Sequence, residues 1–164
     1  MYKSLFLLLS LAALIGCGND KQTNIATQIS HNKTHITVYK RESCGCCNDW
    51  IMHLDKNNFH TQAVNDENLT QFKLDKGIAP RFHSCHTAVS TDGFVFEGHI
   101  PAKYIQTFLA NRPKNAIGLS VPAMPAGSSG MEMGDRFSPY KVLLLNKDGT
   151  YTTYAEVLTQ MEQY

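Results

Sequence analysis

The sequence predicts an α/β domain, and three observations carry that expectation. Short β-branched and aromatic runs recur at 36–39, 61–64, 87–90 and 94–97. Between and after them lie stretches whose apolar residues are spaced three and four apart, the period of an amphipathic helix. Asp92-Gly93 then joins two of the runs as a hairpin turn does.

Taken in order, 36–39 (ITVY) is a buried strand. From Cys47 the period becomes helical, with Cys47, Trp50, Ile51 and Leu54 on one face and Asn57-Asn58 ending the helix. A second strand follows at 61–64. Asp66 caps a helix that carries Leu69 and Phe72, and Gly77 with Pro80 terminates it. The hairpin 87–90/94–97 comes next. Pro101 opens a helix with Tyr104, Ile105, Phe108 and Leu109 inward, stopped before Pro113. This order resembles the thioredoxin fold over about residues 36–111, with Cys44 and Cys47 at the corresponding strand–helix junction. Beyond it the sequence predicts an irregular stretch over 118–139. A C-terminal β-hairpin extension follows, with strands 142–145 and 150–154 around Asn146-Lys147-Asp148-Gly149.

The ends of the chain set its compartment. Lys3 precedes a ten-residue apolar run from Leu5 to Leu14, too short to span a bilayer and suited to the core of a signal peptide. The run ends in Leu14-Ile15-Gly16-Cys17, which resembles a lipoprotein cleavage signal. By that resemblance 1–17 is a leader and Cys17 the lipidated mature N-terminus; an ordinary secretory peptide cleaved nearby is the rival. Residue 18 is Gly rather than the Asp of inner-membrane retention, so the expected location is periplasmic, anchored by lipid to the outer membrane. Residues 18–34 are rich in Asn, Thr, Gln and Lys and read as a flexible tether. Residues 35–164 suit one domain. Lys and Arg number 15 against 14 Asp and Glu, and loss of Lys3 with the leader makes the two equal. No basic stripe is present, which argues against nucleic acid as a partner. The membrane is expected to be met through the lipid alone.

Cys44-Gly45-Cys46-Cys47 places three thiols in four residues at a helix start. Thiolates there are stabilised by the helix dipole and free backbone N–H groups. Such thiolates exchange disulfides or bind soft metals. With Cys17 removed, Cys85 makes a fourth thiol, and an even count in an exported domain allows two disulfides. Three neighbours, however, close only local loops, which give little entropic stabilisation. In thioredoxins a cis-proline faces the two cysteines. Here Arg81-Phe82-His83-Ser84-Cys85-His86-Thr87 enters that strand, with no proline nearer than Pro80, so Cys85 or His86 takes the facing place. A soft ligand there turns a redox site into a metal site. Cys46 is a further thiol that dithiol exchange does not need.

The segment 124–134 is glycine-rich and carries Met124, Met131 and Met133, without the spacing of a helical core stripe. Thioether sulfur suits Cu(I) or Ag(I); the alternative is an adaptable cover over the core. Among the histidines, His86 beside Cys85 is the expected ligand or supporting partner. His53 and His60 are expected at the surface, His31 and His35 at or just after the tether, and His99 in a capping or packing role.

Val38-Tyr39-Lys40 before the cysteine motif, Ser84-Cys85-His86-Thr87, Glu97-Gly98-His99-Ile100-Pro101, Gly118-Leu119-Ser120-Val121-Pro122 and Gly130-Met131-Glu132-Met133-Gly134 together resemble the CopG-type periplasmic copper-resistance proteins. The resemblance spans nearly the whole mature domain. It implies a thioredoxin-like fold, copper held by clustered thiolates with methionine support, and a role in copper or silver tolerance. The expected ligands are Cys44, Cys46, Cys47 and Cys85 for Cu(I), more than one ion being open through bridging sulfurs, with His86, Met124, Met131 and Met133 around them. Expected partners are copper or silver ions and other envelope proteins that handle copper; a change of copper oxidation state is a further option. Two rival functions stand beside this one. A thiol–disulfide oxidoreductase would use Cys44 as nucleophile and Cys47 as resolving thiol. A structural zinc site would use the four cysteines, although thioether is a poor zinc ligand.

Overall fold

The structure, a computed structural model, describes residues 33–164. The expected leader, Cys17, His31 and nearly all of the tether lie outside the described residues. Ten regular elements follow: β1 (Thr34–Lys40), α1 (Gly45–Lys56), β2 (Phe59–Asn65), α2 (Leu69–Asp75), β3 (His86–Ser90), β4 (Val95–Glu97), α3 (Ala102–Asn111), β5 (Ala116–Ser120), β6 (Tyr140–Asn146) and β7 (Tyr151–Val157). They build a seven-stranded sheet in the order β2-β1-β3-β4-β5-β6-β7. The pairs β1–β2 and β4–β5 are parallel, and the remaining neighbours are antiparallel. The α/β class and the C-terminal hairpin are as the sequence predicts. No helix among the described residues is long and apolar enough to cross a membrane.

Alternation along the strands decides which face each helix covers. Ile36 and Val38 of β1, Ala88 of β3 and Phe96 of β4 point to one face, where Trp50 and Leu54 of α1 and Ile105 and Phe108 of α3 close the main core. The intervening residues point the other way. Tyr39 stacks on Phe72 of α2, while Val95 packs with Ile78, Phe82 and Leu145 in a smaller cluster. Trp50 ties α1 to the chain after β4 by donating from Nε1 to the Ile100 carbonyl at 2.9 Å.

Three local expectations are corrected. The stretch expected to be irregular from 118 contributes Gly118, Leu119 and Ser120 to β5, which pairs parallel with β4 and carries the hairpin into the same sheet. Its pattern is obscured because Gly118 interrupts the apolar alternation at a bulge. Asp66 is not the cap of α2: Asn68 holds that position, and Asp66 Oδ1 accepts from the Asn68 N–H at 2.8 Å in the turn before it. His53 is not a plain surface residue. Its Nε2 accepts from the Ala102 N–H at 3.0 Å, so an imidazole on α1 satisfies one of the orphan donors at the start of α3.

Gly118 has a positive φ of 157°, and a Cβ there would lie 1.7 Å from the Val95 carbonyl oxygen. Backbone cannot give way as a flexible side chain can. Gly118→Ala is therefore expected to cost more than about 4 kcal/mol or to abolish folding, as read by urea denaturation with Trp50 fluorescence.

Candidate metal centre

The cysteine motif occupies the turn between β1 and α1. Cys44 is the N-cap residue, and Cys46 and Cys47 lie in the first helical turn, which contains no acidic side chain. These sulfurs therefore sit at the positive end of the helix dipole. Cys44 and Cys47 are joined as a disulfide. Cys46 and Cys85 are free and partly exposed. Cys46 Sγ lies 3.7 Å from Cys44 Sγ, and Cys47 Sγ lies 3.9 Å from the Cys85 carbonyl. All four sulfurs are within 4.8 Å of one another, close enough to share a metal ion once the disulfide is reduced. Cys85 thus stands where the sequence expects a residue facing the motif.

Cys85 is held from both sides. Glu97 Oε1 accepts from the Ser84 N–H at 2.6 Å, and Oε2 accepts from the Thr87 hydroxyl at 2.5 Å. Lys73, on α2, pairs with the same carboxylate and donates to the Ser84 carbonyl at 2.9 Å. Lys73 and Glu97 are both buried. The result is a fixed Ser84–Thr87 segment with a cleft of about 280 Å3 beside it, bordered by Arg41, Cys44, Lys73 and Cys85.

Two imidazoles complete the site. His86 Nδ1 lies 3.3 Å from Cys85 Sγ, and His99 Nε2 lies 3.1 Å from the same sulfur. Both rings are fully buried, 5.0 Å apart, with Trp50 packed 4.3 Å from His86. Burial holds His86 well below the usual histidine range and His99 below it, so both are neutral. Burial, and then the adjacent Cys46 thiol, push Cys85 up to about 12. In the metal-free protein Cys85 is therefore a thiol, and a metal that binds it must displace a proton. Among the described residues, His86 Nε2 is a buried side-chain polar atom with no hydrogen-bond partner.

The methionine loop reaches the site through its backbone. Ser129 is buried, and its carbonyl accepts from His99 Nδ1 at 2.8 Å. Gly130, at φ +81°, lies so close to α1 that a Cβ would be 2.5 Å from the Trp50 nitrogen. Met131 is half-buried, whereas Met124 and Met133 carry exposed side chains. The sequence suggests a capping or packing role for His99 and gives no direct sign that Lys73 and Glu97 pair. The only trace of the ion pair in sequence was an acidic residue ending the otherwise apolar run Phe94-Val95-Phe96-Glu97.

A family model described as "Protein of unknown function, DUF411" matches residues 82–131, a span that holds Cys85, His86, His99, Met124 and Met131. No curated protein matches the chain. Two solved structures do, named copper resistance protein copG, form 1 and form 2. Each is 38% identical, covers 76% of this chain and 98% of its own, and superposes with a TM-score of 0.72. The chain belongs to the CopG copper resistance family. Within this CopG domain the clustered cysteines form a site competent to hold metal.

The Lys73–Glu97 pair yields a test of how the centre is supported. Glu97→Ala leaves the Lys73 charge buried and alone, and is expected to cost about 3–5 kcal/mol in chemical denaturation. The double variant Lys73→Met/Glu97→Gln removes both charges and keeps much of the volume. It is expected to be more stable than Glu97→Ala alone.

Proposed function

We propose that this domain is a copper-binding protein of the cell envelope, with Cu(I), or Ag(I) in its place, on Cys44, Cys46, Cys47 and Cys85. His86 stands beside these ligands, and Met124, Met131 and Met133 come from the loop. The observation that carries this proposal is the convergence of four sulfurs within 4.8 Å at a helix N-terminus. Sulfur is the donor that soft monovalent ions prefer, and thioethers in the adjoining loop suit Cu(I) better than zinc. The relatives' name, copper resistance protein, agrees with this choice of ion. The parallel β1–β2 pair beside the antiparallel β3–β4 pair supports a thioredoxin-like core. The apolar leader ending at Cys17 supports a lipid-anchored, periplasm-facing location.

The Cys44–Cys47 disulfide gives the site a redox capacity as well. In the reduced form the two thiols can pass two electrons to two Cu(II) ions. Two Cu(I) ions result, the S–S bond forms and two protons leave. A reductant of the thiol class would then restore the dithiol. The same disulfide favours one rival, thiol–disulfide exchange with Cys44 as nucleophile and Cys47 as resolving thiol.

Cys46→Ser separates the two functions, because it removes a metal ligand and keeps the exchanging pair. Competition of the reduced domain against a chromophoric Cu(I) chelator is expected to show Cu(I) held in preference to Zn(II). Binding should weaken in Cys46→Ser and disappear when all four cysteines are Ser. Full copper content in Cys46→Ser, with strong wild-type insulin reduction, would instead establish the oxidoreductase.

Met131→Leu/Met133→Leu conserves volume and apolarity, so a packing role should survive at a cost below about 1.5 kcal/mol. Leucine has no lone pair to offer an ion. The double variant is expected to melt at a similar temperature without metal and to lose copper affinity or stoichiometry in the same competition. An unchanged titration would reduce the loop to a cover.

A further inference from the structure

The strands β1 and β2 pair in parallel, with His35 directly opposite His60. Ile36 and Phe59, the chain neighbours of these histidines, are buried in the main core. Alternation then turns both imidazoles to the other face of the sheet. On that face α2 reaches Tyr39 through Phe72, while His35 and His60 are exposed. The two rings meet edge to face, with centroids 4.7 Å apart and planes at 69°. They lie at the opposite end of β1 from the cysteine motif. His53, His83, His86 and His99 each commit a ring nitrogen to the protein. His35 and His60 commit none to a described residue, and their rings are set against each other.

Two imidazoles side by side on one face of a sheet are placed to chelate. Take metal–nitrogen bonds of about 2.0–2.1 Å, with each ring centre about 1.1 Å behind its donor atom. Ring centres on one ion then stand roughly 4.5 Å apart at a right angle and roughly 5.1 Å apart at the tetrahedral angle. The observed 4.7 Å falls between the two. Turning the exposed rings brings one nitrogen of each onto a common ion, and the backbone need not move. That backbone is well supported. Thr61, next to His60, is tied to Asp55 of α1 through its N–H at 3.1 Å and its hydroxyl at 2.9 Å. The Thr34 N–H, next to His35, donates to the Asn58 carbonyl at 3.2 Å. Donors carried on strands fixed in this way suit a preformed site. An open cavity of about 430 Å3 adjoins the pair, lined further by Thr37, Tyr39, Gln62 and Val89, with no thiol and no carboxylate among its lining residues.

We propose that His35 and His60 form a second metal site, a two-imidazole chelate for Cu(II), with water in the remaining coordination positions. The donor set makes the choice of ion. Without sulfur the site lacks the ligand that Cu(I) prefers, and without carboxylate it lacks the ligands of magnesium and calcium. Imidazole suits Cu(II), Ni(II) and Zn(II), and among these Cu(II) binds most tightly to a given nitrogen site. Two nitrogens in adjacent positions with water beside them also match the tetragonal geometry of that ion. The site shares no ligand with the sulfur centre, so its failure leaves the Cu(I) proposal unchanged.

The experiment titrates CuCl2 into the full chain carrying Cys44→Ser/Cys46→Ser/Cys47→Ser/Cys85→Ser, so that thiols neither bind nor reduce the ion. One equivalent is expected to give an electron paramagnetic resonance signal whose spin-echo modulation reports two imidazole nitrogens. His35→Ala and His60→Ala, added singly, are each expected to lower Cu(II) affinity about tenfold or more, and the two together little further, because either loss ends the chelate. If the two losses instead multiply in the combined variant, the rings bind separately and the chelate does not exist. If no histidine variant changes the titration, or the chain takes up no Cu(II), the proposal fails. Ni(II), which suits imidazole and does not oxidise thiols, is titrated into the native chain with the same histidine variants. The same non-additive loss is expected there, and it decides the matter where the Ser variant does not fold. Competition for Cu(I) by the native chain is expected to be unchanged in His35→Ala/His60→Ala, which keeps the two sites distinct.

Discussion

Lys73 and Glu97 are both withdrawn from solvent, and neither charge is stable there without the other. What they achieve together is local. The carboxylate takes the Ser84 N–H and the Thr87 hydroxyl, and the ammonium takes the Ser84 carbonyl. Cys85 and His86 lie between those anchored points. The antiparallel register then sets His86 opposite Lys40, the last residue of β1. The chain entering β3 and the chain leaving β1 therefore meet at one end of the sheet, and that end carries Cys85 and the cysteine motif. An apolar pair in place of Lys73 and Glu97 would serve the core as well. It would leave Ser84 and Thr87 without partners, so here a buried ion pair is suited to placing a thiol.

The parts of this arrangement that were legible in sequence are those governed by near neighbours along the chain. The period of Trp50 and Leu54 marks α1, Asp92-Gly93 marks the β3–β4 turn, and the order of elements puts Cys85 or His86 opposite Cys44 and Cys47. The parts that were not legible depend on partners far away in the chain. Gly118 reads as a break in sequence, yet it is the residue that lets β5 approach the Val95 carbonyl. His53 reads as a surface residue until α3 arrives 49 residues later with an unpaired N–H. His99 reads as a cap because its sequence neighbours Gly98 and Pro101 suggest one. Its role is set by Ser129, 30 residues on, and by Cys85, 14 residues back. Side-chain chemistry is written in the sequence, but pairing across the sheet is not.

The methionine loop shows the same division between backbone and side chain. Its position is secured by Ser129, by Gly130 against α1, by the Glu132 carboxylate accepting from the Gly130 N–H, and by Gln163 reaching in from the C-terminal turn. None of these anchors is a methionine. A loop whose methionines served as adaptable filling would bury them against the core. Met133 is instead 66% exposed and Met124 50% exposed. Thioethers left in solvent contribute little to packing, while the backbone beside them is tied to the histidine that faces Cys85. Packing therefore accounts for where the loop lies and for the half-buried Met131, but not for Met124 and Met133, whose exposed thioethers remain open to the soft-ion role proposed above.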